Sequence, residues 1–224
     1  MVSKKNTQSV DGNLLKRLYK IPTASLCDAL DSVNFKKSFM SHEIKPILDG
    51  IRIVGPAVTI KDVVSEKKIA PWAALQAVTD ANPGDIIVRG SEGNMKDIAL
   101  WGGLMGLAAK TKKIEGAVLD GGVRDTVELK EMKFQVFSSS TVPSTSVGRT
   151  EVVGVNVPIT CGGVLVSPGD IIVGDSDGIV VIPLDNLAKI IKIAEKMDAV
   201  EKKEAEELRK GHSLIKTIEK YARV

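Results

Sequence analysis

The residues Asp120-Gly121-Gly122-Val123-Arg124-Asp125 follow directly on the apolar run Ala117-Val118-Leu119. A strand that ends in a glycine pair turns tightly and leaves room for a ligand beside the backbone. Arg124 and Asp125 then fall where a strand gives way to a helix, at the carboxyl end where open α/β sheets usually keep their sites. Arginine presents a planar fork of donors suited to a carboxylate. Aspartate offers the hard oxygen that Mg²⁺ or Mn²⁺ prefers. An adjacent Arg-Asp pair also serves as a plain surface or capping feature, with Asp125 stabilising the start of its own helix.

Other residues with chemical potential are isolated. His42 and His212 are the only histidines, and neither has a second histidine or a cysteine at ligand spacing, which argues against a zinc site. His212 follows the helix-ending Gly211, so dipole compensation or plain exposure suits it better than catalysis. The serines before Val147 form no nucleophile elbow, and no glycine-rich loop with a following ribose-binding acid marks a dinucleotide site. Gly102-Gly103 alone reads as a helix interruption.

The elements that must position these residues alternate between helical and extended patterns. Thr23 reads as the N-cap of a helix through Leu26, Ala29 and Leu30. Ile51 to Ile60 reads as a strand interrupted by Gly55-Pro56. Pro71 opens a helix carrying Trp72, Ala74, Leu75 and Val78, and Ile98 to Lys110 reads as an apolar helix broken early by Gly102-Gly103. Gly116 to Asp120 is a buried strand, Arg124 to Met132 has helical spacing, and Gln135 to Ser138 is again extended.

Strands at Val152 to Ile159, Val164 to Val166, Ile171 to Val173 and Ile179 to Ile182 leave little room for crossover helices, so this stretch is mainly antiparallel or mixed. Asn82-Pro83-Gly84-Asp85-Ile86-Ile87-Val88 recurs as Ser167-Pro168-Gly169-Asp170-Ile171-Ile172-Val173. Pro then Gly supplies a type II turn, so the pair reads as two similar turn-to-strand corners. Leu184 to Lys210 is a charged amphipathic helix ended by Gly211, with a shorter helix to Tyr221. No linker divides the 224 residues, which makes one α/β domain with packed sheets and flanking helices the simplest architecture.

Composition narrows the function classes. Hydrophobic residues make up 43% and aromatic residues only 4%, an apolar content dominated by Val, Ile, Leu and Ala that suits buried sheet. A net charge of +3, with lysines scattered among glutamates, argues against a nucleic-acid partner. Cys27 and Cys161 stand far apart in apolar contexts, which fits reduced thiols in the cytoplasm. Met1 to Val10 lacks the apolar run of a signal peptide, and no apolar stretch approaches the roughly 20 residues needed to cross a membrane.

Gly103, twenty residues, Arg124-Asp125, two residues and Glu128 together resemble a motif of the RraA-like family. That family holds class II 4-hydroxy-4-methyl-2-oxoglutarate aldolases and proteins named as regulators of ribonuclease activity. The resemblance runs through nearly the whole chain. It takes in Ser25-Leu26-Cys27-Asp28-Ala29-Leu30, Gly55-Pro56-Ala57-Val58-Thr59, Asn82-Pro83-Gly84-Asp85, Pro168-Gly169-Asp170 and Gly174-Asp175-Ser176-Asp177-Gly178.

The resemblance implies a single-domain α/β/β/α sandwich with mixed sheets over residues 1–224, with C-terminal helices at about 184–222. It implies assembly as a homotrimer or hexamer. By position, Gly102, Gly103, Leu104 and Met105 match a loop whose N–H groups hold the substrate carboxylate or a developing enolate. Arg124 matches the substrate-binding arginine, Asp125 the ligand of Mg²⁺, Mn²⁺ or another divalent cation, and Glu128 the acidic position that separates aldolase-type members from the regulators. With no lysine in the motif, the implied reaction on a small 2-oxo acid is a metal-dependent retro-aldol cleavage to pyruvate, with oxaloacetate decarboxylation through the same enolate. Some aldolases of the family carry an aspartate near the glycine loop where this chain has Gly103. A protein-binding regulator of the same fold without catalysis is the alternative.

Overall fold

The computed structural model describes residues 10–35 and 37–221, so most of the polar N-terminal segment read above lies outside the described residues. In chain order the helices are α1 (Gly12–Leu18), α2 (Thr23–Asp31), α3 (Trp72–Asp80), α4 (Gly103–Thr111), α5 (Thr126–Glu131), α6 (Leu187–Arg209) and α7 (Leu214–Tyr221). The first six strands are β1 (Lys45–Pro46), β2 (Ile53–Val64), β3 (Ile86–Glu92), β4 (Ala99–Trp101), β5 (Gly116–Val123) and β6 (Val136–Thr141). They are followed by β7 (Thr150–Val155), β8 (Ile159–Cys161), β9 (Val164–Val166), β10 (Ile171–Gly174) and β11 (Ile179–Ile182).

One mixed sheet runs β1-β6-β5-β3-β2-β10-β11, with β4 paired to β5 and β7 to β2. Its centre, β2-β3-β5-β6, is parallel, while β10 and β11 are antiparallel additions. The turn of the fold is in β2. Residues 53–56 pair with β10, whereas residues 57–63 pair with β3. Gly55-Pro56, read from the sequence as an interruption, is where a continuous strand changes partner and core. Pro56 lacks an N–H, and a Cβ at Gly55 would run into the carbonyl of Gly84.

The sheet therefore curls over itself and buries three apolar layers. Val58, Ile60, Ile87, Ala117 and Leu119 face outward under α3, α4 and α5. Ile53, Ala57, Ile86, Val88, Val118, Ile172 and Val181 face inward and meet the β8–β9 hairpin. Val54, Ile171, Val173, Val180 and Ile182 face α1, α2 and α6. Successive residues of β10 and β11 thus alternate between two buried cores, which is why both strands read as unbroken apolar runs. The order helices, sheet, sheet, helices is the α/β/β/α sandwich expected above.

The repeated turns are as read. Gly84 and Gly169 take φ of 86° and 88°, which favours glycine, and Asp85 and Asp170 close each turn with N–H bonds of 3.1 Å to Asn82 and Ser167. Each aspartate carboxylate also accepts the N–H three residues back, from Asn82 at 2.7 Å and from Ser167 at 2.8 Å. Burial pushes the pKa of both carboxyls up, against those hydrogen bonds. The repeat starts two strands and is spent on structure.

Several boundaries differ from the sequence reading. Pro22, not Thr23, holds the N-cap position of α2; the N–H and hydroxyl of Thr23 donate to Asp175 at 3.1 and 2.7 Å. The apolar run from Ile98 is a short strand, β4, before the helix that starts at Gly103, because Gly102 is extended and ends the pairing with β5. Leu184–Asn186 forms a 3₁₀ turn before α6 begins. Gly211 ends that helix as expected, with φ of 85°. His212 turns back onto α6, its Nδ1 2.7 Å from Glu207 Oε2. No described helix is long and apolar enough to cross a membrane.

Candidate active site

Strand β5 lies between β3 and β6 and delivers Arg124 and Asp125 at its carboxyl end. The helical spacing from Arg124 misled by two residues, since α5 starts only at Thr126. Arg124 N–H donates to the Trp101 carbonyl at 3.0 Å, which ties the corner to β4. Asp125 then takes the left-handed conformation, φ 56° and ψ 38°. Aspartate tolerates this region better than most residues because its short side chain bonds nearby backbone. Such corners cost about 1–3 kcal/mol and persist where surrounding contacts hold them.

The contact that holds this one crosses between helices. Asp125 Oδ2 accepts the Gly103 N–H at 2.9 Å, and Asp125 makes no side-chain cap bond to its own helix α5. The capping reading is therefore corrected: Asp125 caps α4, whose own N-cap, Gly102, has no side chain to offer. Gly106 N–H bonds the Gly102 carbonyl at 3.0 Å and closes the first turn of α4. Leu104 and Met105 N–H have no backbone acceptor among the described residues. The second oxygen of Asp125 has no hydrogen bond or ion pair among the described residues.

Glycine leaves room for the side chains on both sides of this contact. A Cβ at Gly102 would lie 2.8 Å from Asp125 Oδ2 and 3.1 Å from Arg124 Nε. At Gly103 it would collide with the Glu128 carboxylate and sit 3.4 Å from Asp125 Cβ. The carboxylate of Glu128, in the first turn of α5, thus fills the space beside Gly103. Farther along, Gly106 allows Leu129 to press against α4. Trp101 stacks on Phe134 with centroids 5.9 Å apart and planes 7° from parallel, which anchors the strand leading into Gly102.

Arg124 Nε stands 3.6 Å from Asp125 Oδ2, and both side chains are about two-fifths exposed, at 44% and 42%. They open onto a cavity of about 340 Å³ closed on its far side by Thr141, Val142 and Pro143. Those three residues were not singled out from sequence. Only the pairing of Thr141 with Val123 in the β5–β6 register brings them here. Arg124, Asp125, Glu128 and the Gly102–Met105 turn are thus all gathered at one place. No group of three His, Cys, Asp or Glu forms a metal cage among the described residues. Asp125 and Glu128 both border the space beside Gly103.

An all-parallel sheet centre folded against an antiparallel flap, with an Arg-Asp corner capping a glycine-led helix, defines a class, and family comparison gives it a name. The chain belongs to the RraA-like family (Aldolase/RraA), whose model matches residues 23–181. It is 37% identical over 179 residues, 80% of each chain, to a protein of Halalkalibacterium halodurans named "Putative 4-hydroxy-4-methyl-2-oxoglutarate aldolase". Among solved structures it is similar to an uncharacterized protein from Pseudomonas syringae, with TM-score 0.86 and 26% identity, covering 99% of this chain and 100% of that one. It is also similar to Streptomyces coelicolor RraAS2, described as an unusual member of the RNase ES inhibitor RraA family. That match has TM-score 0.79 and 27% identity, covering 87% of this chain and 96% of that one.

Proposed function

We propose that the chain is a divalent-metal-dependent lyase that cleaves 4-hydroxy-2-oxo acids of the 4-hydroxy-4-methyl-2-oxoglutarate type to pyruvate and also decarboxylates oxaloacetate. The observation that carries this reading is Asp125, held by the Gly103 N–H beside Arg124 with one carboxylate oxygen uncommitted. Asp125 would hold Mg²⁺ or Mn²⁺, which would supply a Lewis acid for the 2-oxo acid group. Arg124 pairs with the substrate carboxylate. Leu104 and Met105 N–H stabilise the oxygen that becomes negative as the bond breaks. Glu128 takes the proton of the C4 hydroxyl, directly or through a water. The C3–C4 electron pair moves toward C2 and leaves the enolate of pyruvate, which is then protonated at C3. In oxaloacetate the same bond breaks, with carbon dioxide as the leaving fragment.

Arg124→Ala is expected to lower kcat/KM for pyruvate release by about 30- to 1000-fold, or roughly 2–4 kcal/mol, while metal binding is retained. An unchanged kcat/KM would remove Arg124 from the site.

The similarity to Streptomyces coelicolor RraAS2, of the RNase ES inhibitor RraA family, supports a second reading, a ribonuclease regulator of the same fold without catalysis. The Arg124, Asp125 and Glu128 set opposes it, since a binding surface has no use for a strained carboxylate beside a second acid. We further propose a homotrimer or hexamer in which a second copy walls the open side of the site. The exposed apolar residues beside it support this, with Leu104 at 86%, Val127 at 68% and Leu107 at 54% exposure. A mass of three or six chains by light scattering is the expected result, and a monomer retaining full activity contradicts it. On α6, Glu204 is buried and Glu207 is bound to His212 and Lys220 of its own chain.

A further inference from the structure

Beside the site runs a second, polar cleft of about 430 Å³ between β1, the end of β6 and α5. It shares Thr141 with the cavity at Arg124 and Asp125, and its Thr126 follows Asp125 directly, so the two adjoin. Lys45 enters it from β1, directly opposite Ser138 of β6. Lys130 enters from α5, one turn beyond Thr126 and so on the same helix face. Neither lysine has an ion-pair partner among the described residues. The acids in the lining do not cancel them: Glu43 is already bound to Lys96 at 2.6 Å, which leaves Asp49 alone. Ser139 and Ser140 spend their hydroxyl protons on the carbonyls of Gly121 and Lys96, so the side-chain donors left in the lining are the two ammonium groups and the hydroxyls of Thr126, Ser138 and Thr141. Two unpaired cations against one anion, with donors in excess, is a lining for an anion rather than for an apolar or polyhydroxyl group.

We propose that this cleft is the specificity subsite for the far end of the substrate, and that Lys45 and Lys130 read a second carboxylate there. The inference rests on the functional reading above, since it takes the 2-oxo acid head to lie at Arg124. It makes Lys45 and Lys130 residues that set specificity for the C5 carboxylate of substrates of the 4-hydroxy-4-methyl-2-oxoglutarate type, one carbon beyond the bond that breaks.

The test uses binding, so that it does not depend on turnover. Two unreactive five-carbon probes of equal length are titrated calorimetrically into the full chain with Mg²⁺: 2-oxoglutarate, with a terminal carboxylate, and 2-oxopentanoate, with a terminal methyl. Two exposed charge contacts of modest strength predict that the wild-type protein prefers 2-oxoglutarate by roughly tenfold in Kd. Lys45→Met together with Lys130→Met should bring that ratio close to one. Equal affinity in the wild type, a ratio that survives both substitutions, or binding of neither probe overturns the subsite. Tighter binding of a 3-deoxy-2-oxo hexonate also overturns it, in favour of a sugar-acid tail. A preference for 2-oxoglutarate that the double variant erases, in a protein that releases no pyruvate from any 4-hydroxy-2-oxo acid, keeps the subsite and discards the lyase.

Discussion

Asp125→Asn is expected to abolish pyruvate release, by about a thousandfold or more, while leaving the fold intact. Asparagine tolerates the left-handed corner at φ 56° and keeps an oxygen to accept the Gly103 N–H, so the cap of α4 survives. It does not keep the negative charge that would hold the cation and face Arg124. The substitution therefore separates two roles that alanine would remove together. Asp125→Ala should lose the activity and in addition about 0.5–2 kcal/mol of stability, the usual cost of an N-cap. Unfolding midpoints and kcat/KM for the two variants give the comparison. An active, stable Asp125→Asn enzyme would reduce Asp125 to a helix cap.

The largest effect on stability is expected at Arg89. This residue and Asp62 are both fully buried between β3 and β2, joined by Nε to Oδ2 at 2.8 Å and Nη2 to Oδ1 at 2.5 Å. Arg89 Nη1 also donates to the Leu100 carbonyl, two residues before Gly102. The pair thus fixes β4, the strand that carries the glycine turn. Arg89→Met would leave Asp62 buried and without its cation, at a cost of about 3–5 kcal/mol. Arg89→Met with Asp62→Leu removes both charges and should recover most of that loss. Urea unfolding of the single and double variants reads the difference. A loss under about 1 kcal/mol in Arg89→Met would mean that Asp62 finds another donor.

Residue types and periodicity made the interior legible before the long-range geometry. The Val/Ile runs of β3, β5, β10 and β11 are buried on both faces, and both Pro-Gly turns take the expected shape. The layered sandwich came from resemblance, because nothing local in Gly55-Pro56 says that β2 leaves one layer for another. Ile98 to Trp101 is apolar enough for helix or strand, and only pairing with Gly122 and Val123 decides for strand. At the site, residue chemistry identified Arg124 and Asp125, but not the bond from Asp125 to Gly103, which depends on α4 and α5 meeting at Gly106 and Leu129. Thr141 to Pro143 and the buried Arg89 gave no signal in sequence, since their roles exist only through neighbours remote along the chain.

The central claim is that this chain breaks a carbon–carbon bond with a divalent cation held at Asp125. Pyruvate formation from 4-hydroxy-4-methyl-2-oxoglutarate, followed in the wild-type protein with Mg²⁺, after EDTA, and after Mg²⁺ is restored, tests it most directly. The account predicts turnover with the cation, none in EDTA and recovery on re-addition, with Asp125→Asn inactive throughout. Undiminished turnover in EDTA, with borohydride trapping a substrate adduct on a lysine, would contradict it.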